Sequence, residues 1–369
     1  MSTAVAGGVA IEGLEVAAYE IPTDEPESDA TLEWDSTTIV VVHVRAGGET
    51  GVGYTYGDAC VGQLIESRLA DIVEGRDALR APRATWAEMR AALRNVGQPG
   101  VGAMAISAVD VALWDLQARL LGLPLAALLG AFHDAVPIYG SGGFTSYDQR
   151  RLEEQLAGWA AQGLGAVKLK VGRDAGADVG RVRGVRAAIG DDVDLMVDAN
   201  GGYRRDEAAR WAAEFGAFGV TYLEEPLTSE DLAGLRWLRD RVPAGMAIAA
   251  GEYHWSLRDA ERMLAADAVD VLQADVTRCG GVTELQRIGA LAQAVGVPFS
   301  AHCAPAISVH ACAAIEPLLH LEYFHDHVRL EAMLFDGVLE PEGGRLRPDP
   351  SRPGLGIELK RADAERLAA

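Results

Sequence analysis

Three short apolar segments, AVKLKVG (166–172), LMVDAN (195–200) and VTYLEEP (220–226), follow one another along the chain and share one pattern. Each is rich in residues that favour β-strands and ends in ionisable or amide side chains. Amphipathic stretches typical of helices separate them, for example residues 206–218. Strands that alternate with helices predict a parallel sheet with the helices packed against it.

The same pattern continues on both sides of these segments. The strand candidates occupy residues 136–144, 166–172, 194–200, 220–226, 247–252, 269–275, 297–302 and 320–324. Eight such units predict a closed (β/α)₈ barrel rather than an open doubly wound sheet. An open sheet would carry the spacing GxGxxG after its first strand, and Gly140, Gly142 and Gly143 do not have that spacing.

The first 130 residues have a different pattern. Residues 38–45 are strand-like, a Gly-Gly pair at 47–48 marks a turn, and residues 51–56 resume an extended pattern, so a hairpin is expected. Between residues 86 and 129 the apolar positions follow a helical period. This part of the chain is therefore predicted to be an α+β unit.

These patterns divide the chain into domains. We predict an N-terminal α+β domain over residues 1–130 and a barrel domain over residues 131–339. The tail, residues 340–369, is rich in Gly and Pro, and we expect it to pack back on the first domain.

The composition excludes several classes of function. The 369 residues include 54 Asp and Glu against 33 Lys and Arg, which gives a formal net charge of −21. Nucleic acids and anionic membrane surfaces need a basic footprint, so neither is an expected partner. No apolar run approaches the ~18 residues of a membrane span, and residues 1–10 lack the features of a signal peptide. The four cysteines form neither a CxxC pair nor a zinc spacing, so we expect a cytoplasmic protein with reduced thiols.

Polar side chains end seven successive strand candidates, from the second to the eighth. In chain order they are Lys168 and Lys170, Asp198 and Asn200, Glu224 and Glu225, Glu252, Asp275, His302, and Glu322. A single carboxylate after a strand is usually a helix cap or a solvated loop residue. Seven strands in register are different, because barrel active sites lie at the carboxyl ends of the strands and buried charges are costly unless they are paired or metal-bound. The pattern predicts a charged site at this end of the barrel.

Carboxylates on three adjacent strands predict a metal site within that cluster. Oxygen ligands suit an octahedral Mg²⁺ ion better than zinc, which prefers His and Cys. Asp198 and Glu252 fit this role together with either Glu224 or Glu225, since strand alternation does not choose between the last two. Three further ionisable residues follow the last strand candidate: His325, Asp326 and His327. Their position after the strand is more typical of a loop or of the rim of the barrel than of a second metal site.

The candidate proton-transfer groups lie on other strands of the barrel. The chain contains three lysines, and two of them, Lys168 and Lys170, share one face of a single strand. Two ammonium groups this close are expected to lower one another's pKa, so one is a candidate general base, and a plain ion pair with the carboxylates is the alternative. His302 can form a dyad with Asp275, whose carboxylate would orient the imidazole. Cys303 is expected to face the other way and to pack.

These motifs resemble the enolase superfamily, and within it the mandelate racemase group. The KxK motif at Lys168 and Lys170 is similar to the base motif of that group. The spacing from Asp198 to Glu224, followed by Glu252 in AAGE, resembles its three metal ligands, and this resemblance favours the first glutamate of the EEP motif.

The resemblance extends over nearly the whole chain. Asp275 and His302 are similar to the dyad of the group in spacing, and Glu322 resembles the residue that donates a proton or a hydrogen bond to the substrate carboxylate. The segment SAVDVALWDLQARLLGLP (107–124) resembles a helix of the capping domain. The resemblance implies a modified, (β/α)₇β-type barrel with an N-terminal capping domain that the C-terminal tail completes.

The resemblance also implies a reaction: Mg²⁺-dependent removal of the proton α to a substrate carboxylate, through an enediolate. One Mg²⁺ per subunit would bind the carboxylate of a small-molecule substrate. Lys170 would serve one face of the α-carbon, and His302 with Asp275 the opposite face. Lys168 would contact the substrate carboxylate and tune Lys170. Glu322, in its protonated form, would donate a hydrogen bond to the carboxylate.

Specificity in this family comes largely from the capping domain, here residues 21–35 and about 51–62. The first segment is acidic, which suits a polyhydroxylated or cationic substrate better than an aromatic one, unless its carboxylates face water. We predict that Asn200 and Tyr54 contact the substrate, and the alternative for Tyr54 is a packing role.

The residue set is compatible with two reactions. We hypothesise dehydration of an acid sugar to a 2-keto-3-deoxy acid, and the alternative is a racemase or epimerase of a 2-hydroxy acid or an amino-acid derivative. A non-catalytic barrel that only binds a ligand is a third hypothesis, which the loss of a metal ligand would have favoured. The family resemblance further implies a homo-oligomer, from a dimer to an octamer.

Overall fold

An antiparallel sheet forms the first layer of the computed structural model, which describes residues 8–80 and 82–369. Its strands are β1 (Gly13–Ser28), β2 (Glu33–Ala46) and β3 (Glu49–Tyr56), in the order β1-β2-β3. The predicted hairpin is confirmed as β2 and β3. The acidic segment 21–35, predicted to be a loop that closes over the barrel, is instead mostly strand, with pairing at both of its ends. Its register shifts between Pro22 and Glu27, where proline has no amide to donate, and this irregularity hides the strand period.

Helices cover this sheet. They are α1 (Cys60–Leu64), α2 (Ala70–Val73), α3 (Pro82–Ala92), α4 (Val101–Leu121) and α5 (Leu125–Leu129), with a π-helical turn at Ile65–Leu69. Helix α4 packs directly on β3 at Gly51 and Gly53. A Cβ atom at either glycine would lie 2.2 Å from a backbone oxygen of α4, that of Ala112 or Ala108 respectively. The two glycines therefore allow a close approach of helix to strand that no larger residue permits.

Helix α4 is long and apolar enough to cross a membrane by length and composition, with a mean hydropathy of 1.3 in its most apolar window. The expectation that no apolar run approaches this length is wrong for α4. In that window, 83% of the residues are buried inside the protein, because α4 packs between the N-terminal sheet and the barrel. Helix α4 is therefore a core helix.

The predicted barrel is confirmed. Within the described part of the chain, its eight parallel strands are β4 (Val136–Gly142), β5 (Ala166–Lys170), β6 (Asp194–Asp198), β7 (Val220–Glu224), β8 (Ala247–Ala250), β9 (Val271–Ala274), β10 (Phe299–Ala301) and β11 (Leu318–Phe324). They pair in chain order, and β11 also pairs with β4, which closes the barrel. Each strand overlaps its predicted segment, because the short apolar runs are the parts of the chain that the barrel buries on both faces.

Helices lie outside the barrel strands. They are α6 (Gln149–Ala161), α7 (Ala175–Ile189), α8 (Arg205–Gly216), α9 (Leu232–Arg239), α10 (Leu257–Ala265), α11 (Gly281–Val295), α12 (Pro305–Ala313) and α13 (His325–Leu334). Inside the barrel, Met196 and Tyr222 belong to a small apolar cluster. Each lies two residues before a charged side chain, Asp198 or Glu224, so strand alternation places a polar layer above an apolar one.

The tail contacts the N-terminal part of the chain. It contains β13 (Arg345–Leu346), β14 (Glu358–Leu359), α14 (Arg361–Ala364) and a 3₁₀ turn at Glu365–Leu367, and β14 pairs with β12 (Phe335–Asp336), which precedes the tail. The Leu355 amide donates to Asp115 of α4 at 2.6 Å, and Arg119 of the same helix pairs with Glu358 at 2.5 Å. The amide of Ala369 donates to the carbonyl of Ala18 in β1. The last residues are thus fixed to both α4 and the first strand.

Candidate active site

A cavity of about 730 Å³ opens at the carboxyl ends of the barrel strands, beneath the N-terminal sheet. Barrel residues that include Lys170 and His302 line one side of it. Residues of β2 and β3, among them Trp34 and Tyr56, line the other. A cavity of this size suits a small molecule held between charged barrel residues and the cover of the sheet.

Three buried carboxylates converge beside this cavity. One oxygen each of Asp198, Glu224 and Glu252 lies within 4.8 Å of the other two. Glu224 Oε2 accepts no hydrogen bond among the described residues, and Glu252 Oε2 has the ring nitrogen of His302 near it, at 3.3 Å. Buried carboxylates that converge in this way are stabilised by a cation, and a ligand set made only of oxygens suits Mg²⁺. These three residues fit the predicted magnesium site.

Glu225 lies next to this group but not in it. Its backbone adopts a left-handed conformation, with φ of 36°, at the turn after β7. Burial, together with the negative charges of Glu252 and Asp198, raises the pKa of Glu225 well above its usual range. The pKa of Glu224 is raised too, so the choice rests on geometry: the oxygen cluster contains Glu224 and not Glu225, which agrees with the resemblance.

Lys168 and Lys170 both point into the barrel, as strand alternation predicted. The Nζ atom of Lys168 lies 2.5 Å from Glu224 Oε1, and that of Lys170 lies 2.5 Å from Asp198 Oδ2. Burial lowers the pKa of each ammonium group, but the carboxylates outweigh burial and raise both above the ordinary value. Lys168 does lower the pKa of Lys170, as predicted, but the carboxylates outweigh this effect, so the net shift is opposite to the one that a base near neutral pH would need.

The Asp275–His302 pair forms across two adjacent strands. His302 Nδ1 lies 2.7 Å from Asp275 Oδ2, while the other oxygen of Asp275 accepts hydrogen bonds from the amide and the hydroxyl of Thr277. His302 Nε2 lies 3.3 Å from Glu252 Oε2 and 3.5 Å from Glu322 Oε2. Burial lowers the pKa of His302, but the neighbouring carboxylates outweigh burial and raise it. Nε2 is therefore the ring nitrogen available to a substrate.

Arg278 is a site residue that the sequence did not single out. Its Nη1 lies 3.4 Å from Glu252 Oε1, and its Nε lies 3.6 Å from Asp275 Oδ2. Its guanidinium also sits 4.7 Å from the ring centroid of Tyr253. It thus bridges a metal-site carboxylate and the dyad. The sequence could have indicated Arg278 as a site residue, because it lies three residues after Asp275, one turn past the end of the strand.

Glu322 ends inside the barrel, fully buried, as the pattern placed it. Lys168 Nζ lies 2.9 Å from its Oε1. Burial raises the pKa of Glu322, but Lys168 and His302 outweigh burial and hold it well below its usual range. The predicted protonated form of Glu322 is therefore not the form that this arrangement favours. Direct contact with an ammonium group favours the ionised carboxylate.

Cys303 was expected to face away from the site, and this expectation is wrong. Its Sγ lies 3.2 Å from His302 Nε2 and 3.3 Å from Glu322 Oε2, and Cys303 lines the cavity. The cause is the backbone. Strand β10 ends at Ala301, and Cys303 and Ala304 have φ values of 49° and 46°. This left-handed turn cancels the alternation that would have directed the thiol outward.

The two predicted substrate contacts have different positions. Asn200 lines the cavity, and its Oδ1 has no donor among the described residues. Tyr54 does not line the cavity. Its hydroxyl donates to Glu331, and its ring stacks on Phe335 with the centroids 5.3 Å apart. Tyr54 therefore has the packing role, because it lies deeper along β3. Tyr56, two residues closer to the end of that strand, is the tyrosine of β3 that reaches the cavity.

The acidic segment contributes less to the cavity than its composition suggested. Glu25 and Asp35 are exposed, and Glu27 is buried, where it accepts a hydrogen bond from Trp34 Nε1 at 2.9 Å. Burial and a nearby carboxylate raise the pKa of Glu27 to about 8. Asp29 lines the cavity, yet one of its oxygens accepts two amides of its own loop. The segment is therefore not a continuous acidic wall.

The residues 325–327 start α13 and do not together form a metal cluster within the described residues, although His325 has a ligand atom within 4.8 Å of ligand atoms of Asp24 and Glu27. His325 Nε2 lies 3.1 Å from Asp24, whereas the ring of His327 stacks on Tyr56, with the centroids 3.5 Å apart. Asp326 accepts a hydrogen bond from Thr37. The three side chains diverge and connect the barrel to the covering sheet.

Comparison with known proteins identifies the family. The model of the mandelate racemase / muconate lactonizing enzyme N-terminal domain matches residues 8–130, and the enolase C-terminal domain-like model matches residues 151–364. An L-talarate/galactarate dehydratase of Salmonella typhimurium is 33% identical over 97% of this chain and 91% of its own length. A 3,6-anhydro-α-L-galactonate cycloisomerase of Streptomyces coelicolor is 34% identical over 97% of this chain and 98% of its own.

Solved structures agree with this result. A mandelate racemase/muconate lactonizing enzyme-like protein from Rubrobacter xylanophilus is 63% identical, covers 98% of this chain and 100% of its own, and superposes with a TM-score of 0.96. A variant of L-talarate/galactarate dehydratase, liganded with Mg and L-glucarate, superposes with a TM-score of 0.90 at 31% identity over 100% of this chain and 94% of its own. With the buried Asp198–Glu224–Glu252 triad, these findings show that the chain belongs to the mandelate racemase group of the enolase superfamily and is one of its magnesium-dependent lyases or isomerases.

Proposed function

We propose that this enzyme removes the proton α to the carboxylate of an acid sugar and then expels a β-hydroxyl group, which yields a 2-keto-3-deoxy acid. The single observation that carries this proposal is the placement of two proton-transfer groups, Lys170 and His302, at one cavity beside the carboxylate triad. Removing a proton from a carbon next to a carboxylate requires a base at the α-carbon and positive charge at the carboxylate oxygens. The position of Lys170 and His302 supports the first requirement, and the carboxylate triad, as a site for a cation, supports the second.

Each charged side chain has a defined task in this reaction. A Mg²⁺ ion bound by Asp198, Glu224 and Glu252 would supply the positive charge that offsets the charge developing on the substrate carboxylate. Lys170 and His302 approach the cavity from different strands, β5 and β10, so they can act on the α-carbon from different sides.

The dyad determines how His302 acts. Asp275 holds Nδ1, which leaves Nε2 to take a proton or to return one to a departing hydroxyl. Lys168 stays charged between Glu224 and Glu322, where it can contribute positive charge but not act as a base. Lys170 must be released from Asp198 before it can accept a proton, and a cation bound by Asp198 competes with the ammonium for that carboxylate.

The lining of the cavity supports a polyhydroxylated substrate. The N-terminal sheet contributes Ser36, Thr37 and Thr38, which carry hydroxyl groups, and the turn after β3 contributes Asp58. Such groups can exchange hydrogen bonds with sugar hydroxyls. The names of the dehydratase and the cycloisomerase relatives also refer to sugar-derived acids.

The second candidate is a racemase or epimerase of a 2-hydroxy acid or an amino-acid derivative. The same pair, Lys170 and His302, favours it, since racemisation needs one group to remove the proton and another to return it on the opposite side. The non-catalytic alternative has less support, because the structure retains each predicted charged residue at the cavity or in the barrel beneath it.

The decisive experiment is an NMR screen of acid sugars and 2-hydroxy acids in D₂O with Mg²⁺. A 2-keto-3-deoxy product supports the dehydratase. Deuterium at the α-carbon without loss of water identifies the racemase or epimerase instead. If the screen shows no exchange and no product with any compound, both proposals are contradicted. A Mg²⁺-dependent thermal shift without turnover would then indicate a binding protein.

We also propose that the enzyme is a cytoplasmic homo-oligomer that takes only small carboxylates as ligands. Its cysteines are unpaired, which suits a reducing compartment. Light scattering of the purified protein determines the number of subunits.

A further inference from the structure

Three atoms of different elements that can each bind a metal ion lie within 3.5 Å of one another at the cavity. His302 Nε2 lies 3.2 Å from Cys303 Sγ, Cys303 Sγ lies 3.3 Å from Glu322 Oε2, and Glu322 Oε2 lies 3.5 Å from His302 Nε2. The three residues thus form a nearly equilateral triangle of one nitrogen, one sulfur and one oxygen. All three are buried, and Cys303 and His302 line the cavity.

This triangle has the size of one face of a zinc tetrahedron. Tetrahedral zinc has bonds of ~2.3 Å to sulfur and ~2.0–2.2 Å to nitrogen or oxygen, which separates neighbouring ligand atoms by about 3.3–3.6 Å. The three observed edges deviate from these separations by a few tenths of an ångström at most. Small side-chain movements are therefore enough to bind an ion.

A second feature points independently to zinc. Histidines that bind zinc usually donate their other ring N–H to a carboxylate, which fixes the ring and makes the ligand more basic. His302 has this partner, because Nδ1 lies 2.7 Å from Asp275 Oδ2. Asp275 is in turn held by Thr277.

We propose that His302, Cys303 and Glu322 form a second metal site, selective for zinc and similar thiophilic divalent ions, beside the magnesium site. The ligand types separate the two. The Asp198–Glu224–Glu252 triad offers only oxygen, which Mg²⁺ accepts, whereas thiolate and imidazole ligands favour Zn²⁺ or Co²⁺. The fourth zinc position would face the cavity, open to water or a carboxylate ligand.

The consequence is inhibition. Nε2 of His302 is the atom assigned to proton transfer, and it cannot carry a proton while it binds a metal ion. Zinc at this site would therefore stop turnover even when Mg²⁺ saturates the triad. This consequence depends on the proposed function, but metal binding at the site does not.

The test uses Co²⁺ added to the full-length enzyme in saturating Mg²⁺, because a thiolate bound to Co²⁺ gives a charge-transfer absorption in the near ultraviolet that oxygen ligands do not give. We expect this band in the wild type and in Cys279→Ser, a control at another buried cysteine. We expect it to be lost in Cys303→Ser. Absence of the band from the wild type overturns the proposal, and so does a band that survives in Cys303→Ser.

Zinc affinity is the second measurement, by calorimetry in saturating Mg²⁺. We expect Cys303→Ser to weaken Zn²⁺ binding by at least about tenfold, since even residues that only support a ligand contribute that much. An unchanged dissociation constant contradicts the assignment of the thiol as a ligand. Because the band and the affinity are read without substrate, they separate failure of this site from failure of the proposed reaction.

Discussion

Asp275 and His302 are joined across β9 and β10 by a contact of 2.7 Å between Oδ2 and Nδ1, and this contact directs Nε2 toward the cavity. Asp275→Asn keeps the shape of the side chain but lets an amide donate to Nδ1, which stabilises the wrong tautomer of the ring. We expect kcat to fall by roughly 10²–10⁴-fold, as such changes do in other His–Asp pairs. The exposed variant Asp35→Asn is the control, and full activity of Asp275→Asn would show that the dyad is not used.

The two proton-transfer groups can be separated by isotope exchange. We expect Lys170→Ala to abolish exchange of the α-proton with D₂O on one side of the α-carbon, and His302→Asn to abolish it on the other. Each variant should retain exchange with substrates of the opposite configuration, read by NMR. Exchange from both configurations in both variants would overturn the assignment of the bases.

Removing one carboxylate of the triad should remove the metal. We expect Asp198→Asn to lose the Mg²⁺-dependent increase in melting temperature, because the site loses one of three anionic ligands. Differential scanning calorimetry with and without Mg²⁺ measures it. Asp206→Asn, at an exposed position of α8, should keep the whole shift. An Asp198→Asn protein that still responds fully to Mg²⁺ would place the ion elsewhere.

The contact between α4 and β3 predicts a loss of stability at one glycine. In Gly53→Ala the new Cβ would lie 2.2 Å from the carbonyl oxygen of Ala108, so strand and helix must separate. We expect the free energy of unfolding to fall by roughly 1–3 kcal/mol. Gly158→Ala, in helix α6 with no atom within 4 Å of its new Cβ, should instead gain roughly 0.5–1 kcal/mol. Urea unfolding measures both, and equal effects would contradict the packing argument.

A buried acid between the sheet and the barrel predicts how stability depends on pH. Glu331 accepts hydrogen bonds from Tyr54 and from the Ala306 amide, and burial raises its pKa to about 8 from an ordinary value of 4.5. The folded state favours the neutral carboxyl, so this contribution to stability is complete below pH ~4.5 and is lost as the pH rises through ~8.

Glu331→Gln removes this ionisation. Between pH 5 and pH 9, we expect the wild type to lose on the order of a few kcal/mol of unfolding free energy relative to the variant. The exposed variant Glu340→Gln should follow the wild type. Parallel stability curves for wild type and Glu331→Gln would contradict the shifted pKa.

The sequence predicted the features that depend on local pattern. The apolar segments gave the barrel strands, and alternation along β5 placed Lys168 and Lys170 on the inside. Two other features depend on contacts that one segment does not encode. The pKa of each lysine is raised by carboxylates on other strands. The direction of the Cys303 side chain is set by a left-handed turn that the neighbouring residues do not predict.

The prediction of a loop over residues 21–35 was wrong for a similar reason. Its strand is defined by pairing with β2, and the irregular register near Pro22 removes the alternation that would reveal it. Tyr54 and Tyr56 show what the alternation of side chains along a strand cannot predict. Both share one face of β3, but only depth along the strand decides which of them reaches the cavity.

The pairing of β11 with β4 also determines when the site can exist during synthesis. The strands are made in order, and β4 is produced some 180 residues before β11 joins it. Until then the growing sheet has two open edges, which expose backbone groups able to pair with other chains. Glu322 lies in the late strand β11 and His302 directly after its neighbour β10, whereas Lys168 lies in β5, next to the early edge strand β4. The charged groups of the site are therefore brought together in the same step that closes the barrel and removes its two open edges.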